Sequence, residues 1–197
     1  MARSRAPTFD SQRADILEHA AGLFAEHGFR GASMANIATA CGVSKPLLYH
    51  YYRDKSQLLF DIADHYMDRL LAIVAEVKER ALAPEPHFRA LVHAFMQAYE
   101  HAQSRHRVLV QDVKFLDEED RARIVARQRA VVDAFAEAVA ALRPRLRRQD
   151  LRVPLAMILF GMLNWTFTWL RASGPLTYAD MADVVLEIFL DGVRVKS

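Results

Sequence analysis

From Phe9 onward the chain repeats apolar residues every three to four positions, the period of a helix. Ile16, Leu17, Ala20, Leu23 and Phe24 share one face, with Arg13, Asp15, Glu18 and Glu26 off it, which predicts an amphipathic helix from Phe9 to Gly28. Gly28 follows the last apolar position, where a glycine in the left-handed conformation stops a helix. Ser33 then offers an N-cap hydroxyl to a short helix with an apolar face of Met34, Ile37, Ala38 and Cys41, ending at Gly42. Ser44 offers the next cap, and Pro46 falls in the first helical turn, where its missing N–H would be unpaired anyway. Leu48 and Tyr52 lie one turn apart and point inward, whereas Lys45, Leu47, Tyr49 and His50 point elsewhere. Three helices, the last two short and joined by Cys41-Gly42-Val43-Ser44, make a helix-turn-helix plan.

Beyond it a long helix runs from Ser56 to about Leu82, with Leu59, Ile62, Ala63, Tyr66, Leu70, Ile73 and Val77 in one stripe and Pro84 and Pro86 after it. Further helices are predicted over Phe88–Gln103, Arg105–Phe115, Glu118–Leu142, Leu151–Arg171 and Tyr178–Val195, with the arginine-rich Arg143–Arg148 as a solvated connection. No period-2 strand and no fixed repeat appears, so the expected fold is all-α with about nine helices. The division expected is a helix-turn-helix unit over 1–57, joined by the long helix to a helical unit over 58–197. The 18 uncharged residues Val153–Leu170 reach the lower limit of a membrane span. Pro154, Gly161, Asn164 and two threonines interrupt them, and burial between the protein's own core and a partner subunit is the reading adopted.

Composition narrows the class further. Apolar residues make up 52% and charged residues 25% of 197 residues, which excludes general disorder. The single cysteine, Cys41, excludes an intramolecular disulfide and a thiolate-only metal cluster. Without an apolar run at the start there is no secretory signal peptide, and a cytoplasmic location without membrane contact is expected. The first 57 residues hold seven basic and five acidic side chains, while the remainder holds 19 of each, so the whole +2 excess lies in the helix-turn-helix unit. His87, His93, His101 and His106 form no i, i+4 pair, no HExxH occurs, and Asp61 with His65 reads as a surface pair. No catalytic constellation, metal or cofactor is expected.

The run Ser33-Met34-Ala35-Asn36-Ile37-Ala38, the turn Gly42-Val43-Ser44 and the segment Leu48-Tyr49-His50-Tyr51-Tyr52 with its trailing Lys55 resemble the DNA-binding domain of the TetR family of transcriptional regulators. Gly28-Phe29 belongs to the same pattern, which covers about residues 10–58. Cys41 stands where the family often has Ala, Pro46 where it has Gly or another small residue, and Leu47 where Thr or Ser is common. The resemblance implies a dimer reading a palindrome in double-stranded DNA. DNA contacts are then expected from Ser33, Ser44, Lys45, Pro46, Leu47, Tyr49, His50 and Lys55. Lys45, Tyr49, Lys55 and the main chain near Ser33 suit phosphates, His50 a base or a phosphate, and Pro46 and Leu47 a thymine methyl.

In the second unit, Phe160, Asn164, Trp165 and Thr168 supply aromatic density with one amide, which suits an apolar effector pocket. Tyr66, Phe95, Tyr99 and Phe115 are the expected facing residues. The family pairs its last two helices across the dimer, which implies an interface of Leu159, Leu163, Leu170, Val185, Ile188 and Phe189. A weaker similarity, in Phe160–Trp165 and Gly174-Pro175-Leu176, is to regulators of fatty-acid, steroid and aromatic-acid catabolism. It implies a small hydrophobic effector such as an acyl-CoA thioester, with Arg89, Arg105 or Arg107 as phosphate partners. The leading expectation is an effector-released repressor; an effector-independent DNA-binding dimer and, remotely, a helical enzyme are the alternatives.

Overall fold

In the computed structural model, which describes residues 9–142, 150–171 and 173–193, α1 (Phe9–Gly31) buries Ile16, Leu17, Ala20, Ala21 and Phe24. Gly28 has φ of 71°, the left-handed conformation expected of it, but the chain then resumes a helical turn to Gly31. Ser33 caps α2 (Met34–Ala40) by accepting from the Asn36 N–H at 3.2 Å, and Ser44 caps α3 (Lys45–Tyr51) by accepting from the Leu47 N–H at 3.3 Å. Between them Gly42, at φ of 65°, makes the turn, and burial pushes the half-buried Cys41 thiol up to about 11. Cys41 is therefore a small packing group and not a nucleophile.

Asp54 caps α4 (Lys55–Glu79) by accepting from the Gln57 N–H at 2.9 Å, which holds its carboxyl below the usual range. The expected 57/58 boundary thus falls inside a continuous helix. Asp61, expected to pair with His65 at the surface, is buried and takes Arg13 of α1 at 2.5 Å, and Arg13 also donates to the Tyr52 hydroxyl at 3.2 Å. His65 bonds instead to the Asp61 main-chain carbonyl at 2.7 Å.

After α5 (Pro84–His101), the helix expected over Arg105–Phe115 divides into α6 (Gln103–Gln111) and a 3-10 turn, Val113–Phe115. Next come α7 (Glu118–Leu142), α8 (Arg152–Trp165) and α9 (Tyr178–Val193). The Arg143–Arg148 connection lies outside the described residues. α8 is shorter than the apolar run predicted, because its end tightens into a 3-10 turn, Thr166–Thr168. There Thr166 donates to the Leu163 carbonyl at 2.6 Å and Thr168 to the Trp165 carbonyl at 2.7 Å. Among the described residues no helix is long and apolar enough to cross a membrane.

α4 is the axis of the molecule, packed against α1, α5, α6 and α7, while α7 packs on α8 and α9 on α5. Phe135 sits edge-on to Phe95 and to Phe160, each pair 4.8 Å between ring centres, and joins α5, α7 and α8. Burying each such ring contributes about 1.5–3 kcal/mol. Arg127 ties α7 to α4 through Asp64, at 2.6 Å, and through Asp68.

Candidate nucleic-acid interface and internal cavity

On α3 the inward positions are Leu48 and, just past the helix end, Tyr52, both buried. That fixes the rotation of the helix, so Lys45, Pro46, Leu47, Tyr49 and His50 all lie exposed. The Lys45 ammonium lies 6.0 Å from the centre of the Tyr49 ring. Tyr51 is half-buried, stacked on Phe9 at 4.7 Å, and so braces the start of α1. The Ser33 and Ser44 hydroxyls are both engaged as caps of α2 and α3.

Lys55 departs from the expectation of a free ammonium beside the motif. Its Nζ donates to the main-chain carbonyls of Phe29 at 2.6 Å and Ala32 at 2.9 Å, and lies 4.4 Å from the centre of the Phe29 ring. Phe29 in turn packs between Phe24 and Phe115, at 5.5 and 5.6 Å. The irregular turn after Gly28 exposes carbonyls that a helix would have satisfied, and Lys55 supplies the donors.

Behind this unit, α4, α5, α6, α7 and α8 enclose a cavity of about 220 Å³. Met67, Leu70, Phe95, Leu109, Val131, Val132 and Phe160 line it, with Val110 and Met157 at its exposed rim. The polar members are Tyr99, His106, Gln128 and Asn164, and none of the lining residues carries a formal charge. The Tyr99 hydroxyl donates to Asn164 Oδ1 at 2.8 Å, and its ring stacks on the His106 imidazole at 3.8 Å. His106 is 2% exposed. Burial pulls its imidazole down to about 4, an effect that the Asn164 main-chain carbonyl beside the ring only partly opposes, so it is neutral at pH 7.

α6 has a second side. Arg105 reaches Glu18 of α1 at 2.7 Å, Arg107 donates to the Ala25 carbonyl at 3.1 Å, and the carboxyl of Asp112, at the end of α6, accepts from the Phe29 main-chain N–H. Burial nevertheless holds Asp112 above the usual carboxylate range.

The sequence matches two family models: bacterial regulatory proteins of the tetR family over residues 16–62, and the tetracyclin repressor-like C-terminal domain over residues 81–193. The chain belongs to the TetR family. A TetR-family regulator from Bordetella parapertussis is 32% identical and superposes with a TM-score of 0.90 over 96% of this chain and all of that one. The repressor KstR2 of Mycobacterium tuberculosis is 27% identical over 93% of this chain and 94% of its own. AibR, solved in complex with isovaleryl coenzyme A and operator DNA, is 30% identical with a TM-score of 0.77, over 90% of this chain and 97% of AibR. The TetR-family fold and the relatives make this chain a DNA-binding transcriptional regulator and not an enzyme.

Within the TetR-family frame, several expected pocket and interface positions need correction. Phe95, Tyr99, Phe160 and Asn164 line the cavity. Tyr66 opens instead into a separate groove with Arg69, Arg80, His101 and Arg105, although its ring edge lies 6.1 Å from His106. Phe115 belongs to the joint with Phe29, Trp165 is 66% exposed, and Thr168 is exposed beyond the helix end. Arg89 pairs with Glu85, and together with Arg105 and Arg107 it stands outside the cavity lining. Of the six interface residues expected, Leu159, Leu163, Leu170, Val185 and Phe189 are buried within one chain, and Ile188 alone is exposed. The open apolar positions of α8 and α9 are Val153, Met157, Ile158, Trp165, Val184 and Ile188, with Trp169 just beyond. Sequence reasoning missed His106 because it was weighed only for metal spacing; its register with Leu109 and Val110, three and four residues on, was the available signal.

Proposed function

We propose that this chain is an effector-released repressor that acts in the cytoplasm and binds a palindromic operator as a homodimer. Residues up to 57 read DNA, and residues 58–197 hold the effector and the partner. Lys45, Tyr49, His50 and the helix starts at Ser33 and Ser44 hold phosphates or base edges, while Pro46 and Leu47 meet thymine methyls. The apolar positions Ile158, Trp165, Val184 and Ile188 meet their counterparts across a two-fold axis.

The observation that carries the reading is the two-sidedness of α6. His106, Leu109 and Val110 face the cavity, and Arg105, Arg107 and Asp112 hold α1. A molecule that fills the cavity changes the seat of α6 and thereby the position of α1, and two such changes alter the spacing of the α3 helices. An acyl-CoA thioester is the effector class proposed. The uncharged cavity suits an acyl group, and AibR, a structural neighbour over most of both chains, holds isovaleryl coenzyme A.

Selection of genomic fragments by the purified protein, with and without a pool of acyl-CoA thioesters, tests this. A palindrome released by the pool is expected. A palindrome that no thioester releases removes the effector class, and no enrichment over random fragments removes the operator reading.

A further inference from the structure

The groove into which Tyr66 opens runs between α4 and α5, has a volume of about 430 Å³, and is separate from the cavity. Its floor is apolar: Ile73 and Val77 of α4 are buried, and Ala94 and Ala98 of α5 supply only methyl groups. Its charged members are the guanidiniums of Arg69, Arg80 and Arg105 against the single carboxylate of Glu76. Arg69 Nη1 donates to Glu76 at 2.9 Å and Arg105 Nη2 to Glu18 at 2.7 Å, while Arg80 has no ion pair among the described residues. Tyr66 is 2% exposed, and its hydroxyl makes no hydrogen bond among the described residues. Burial holds that hydroxyl well above its usual range, with Arg105 near enough to oppose the shift, so at pH 7 it is a neutral O–H group in reach of a guanidinium's field.

We infer that this groove is a second small-molecule site, which binds the oxyanion of an amphipathic acid (a carboxylate or a phosphate monoester) with the acid's alkyl body along the apolar floor. A buried hydroxyl without a partner marks a place where a ligand completes the bond. The guanidinium nitrogens that Glu18 and Glu76 leave unused can only donate, and charged donors bond most strongly to an oxyanion. Tyr66 adds one more donor at the same wall. An alcohol with the same alkyl body meets Tyr66 but leaves the excess positive charge uncompensated, and an amine adds to that charge. The floor lies along the stretch of α4 between Tyr66 and Arg80, about 20 Å long, which accommodates an extended medium-length chain. The cavity, in contrast, has no formal charge in its lining, so the two sites sort ligands by charge. The inference does not depend on the acyl-CoA reading, which concerns the cavity alone.

Three probes with one alkyl chain separate the outcomes by titration calorimetry on the full chain: octanoate, octyl phosphate and 1-octanol. Octanoate or octyl phosphate, or both, bind at least tenfold tighter than 1-octanol, and the tighter of the two identifies the oxyanion. Arg69→Gln combined with Arg80→Gln, both at exposed positions, brings the anions down to the affinity of 1-octanol. Tyr66→Phe, which removes only the hydroxyl, weakens the better anion at least threefold. In protein labelled with 13C at the tyrosine Cζ, that anion moves the resonance that Tyr66→Phe deletes, and 1-octanol moves it less. Should Tyr66→Phe fail to fold, the arginine double variant and the calorimetry of the unmodified protein carry the comparison. Equal affinity for the three probes, or an anion preference that survives the double arginine substitution, overturns the inference, as does failure of both anions to bind. None of these results touches the operator or the cavity, whose test is the release of selected DNA fragments.

Discussion

The Lys55 ammonium lies 2.6 Å from the Phe29 carbonyl and 2.9 Å from that of Ala32, a clamp between the start of α4 and the frayed end of α1. Lys55→Met removes charge-assisted bonds from a part-buried site, at a cost of about 1–3 kcal/mol. The melting temperature falls by several degrees. The salt dependence of DNA binding stays near that of the parent, whereas Lys45→Ala, which removes an exposed ammonium, lowers the slope of log K against log salt by about one. Differential scanning fluorimetry and anisotropy at four salt concentrations separate the two residues.

Tyr49→Phe deletes one exposed hydroxyl and leaves the ring beside Lys45 in place. Binding weakens by about fivefold, close to 1 kcal/mol, on operator and random DNA alike. Leu47→Ala acts differently: selection from a randomised operator relaxes at one position per half-site, where a thymine methyl loses its partner. A loss confined to the operator for Tyr49→Phe reverses its assignment.

Acidification tests the cavity. The folded His106 imidazole sits at about 4, against 6.5 when exposed. Between those values the unfolded chain takes a proton that the folded chain refuses, so the contribution to stability is complete above pH 6.5 and is lost as pH falls towards 4. The groups facing the ring, Tyr66 and Tyr99, are held above their usual range by burial and stay neutral throughout. The loss from this site is about 3 kcal/mol. Urea midpoints at pH 7 and 4.5 fall further apart for the parent than for His106→Phe, since the carboxylates contribute equally to both.

Trp165→Glu and Ile188→Glu place charges on the open face of α8 and α9, and each yields a monomer by analytical ultracentrifugation with an unchanged far-ultraviolet spectrum. Leu163→Ala, on the opposite side of α8 and fully buried, costs about 2–5 kcal/mol of stability and leaves assembly intact. Dissociation by the core substitution, with a dimer surviving both glutamates, reverses that division.

The helix-turn-helix was legible because its signals are local. Ser33, Gly42 and Ser44 act on neighbours within a few residues, and Leu48 with Tyr52 leaves α3 only one rotation. Gly28 carried its left-handed turn for the same reason. What α8 buries is not local. Its sequence is apolar nearly all round, so periodicity does not say which side meets the protein's own core, and buried positions such as Leu159 and Leu163 read the same as partner-facing ones. Lys55 escaped for a related cause, since the carbonyls it binds lie 26 and 23 residues away and are exposed only by an irregular turn. His106 is polar in sequence between Arg105 and Arg107, and only tertiary packing turns it from the arginines' side towards Tyr99.

The chain has two tryptophans, Trp165 and Trp169, 66% and 49% exposed on the open face, and neither lines the cavity. For the homodimer proposed above, its intrinsic fluorescence is therefore an optical gauge of pairing: red-shifted indole emission from an isolated chain, blue-shifted once a second copy covers the rings. Dilution series can be followed by emission wavelength alone, without a label. An effector seated beside His106 and Asn164 is spectrally silent in that channel unless it alters the pairing itself.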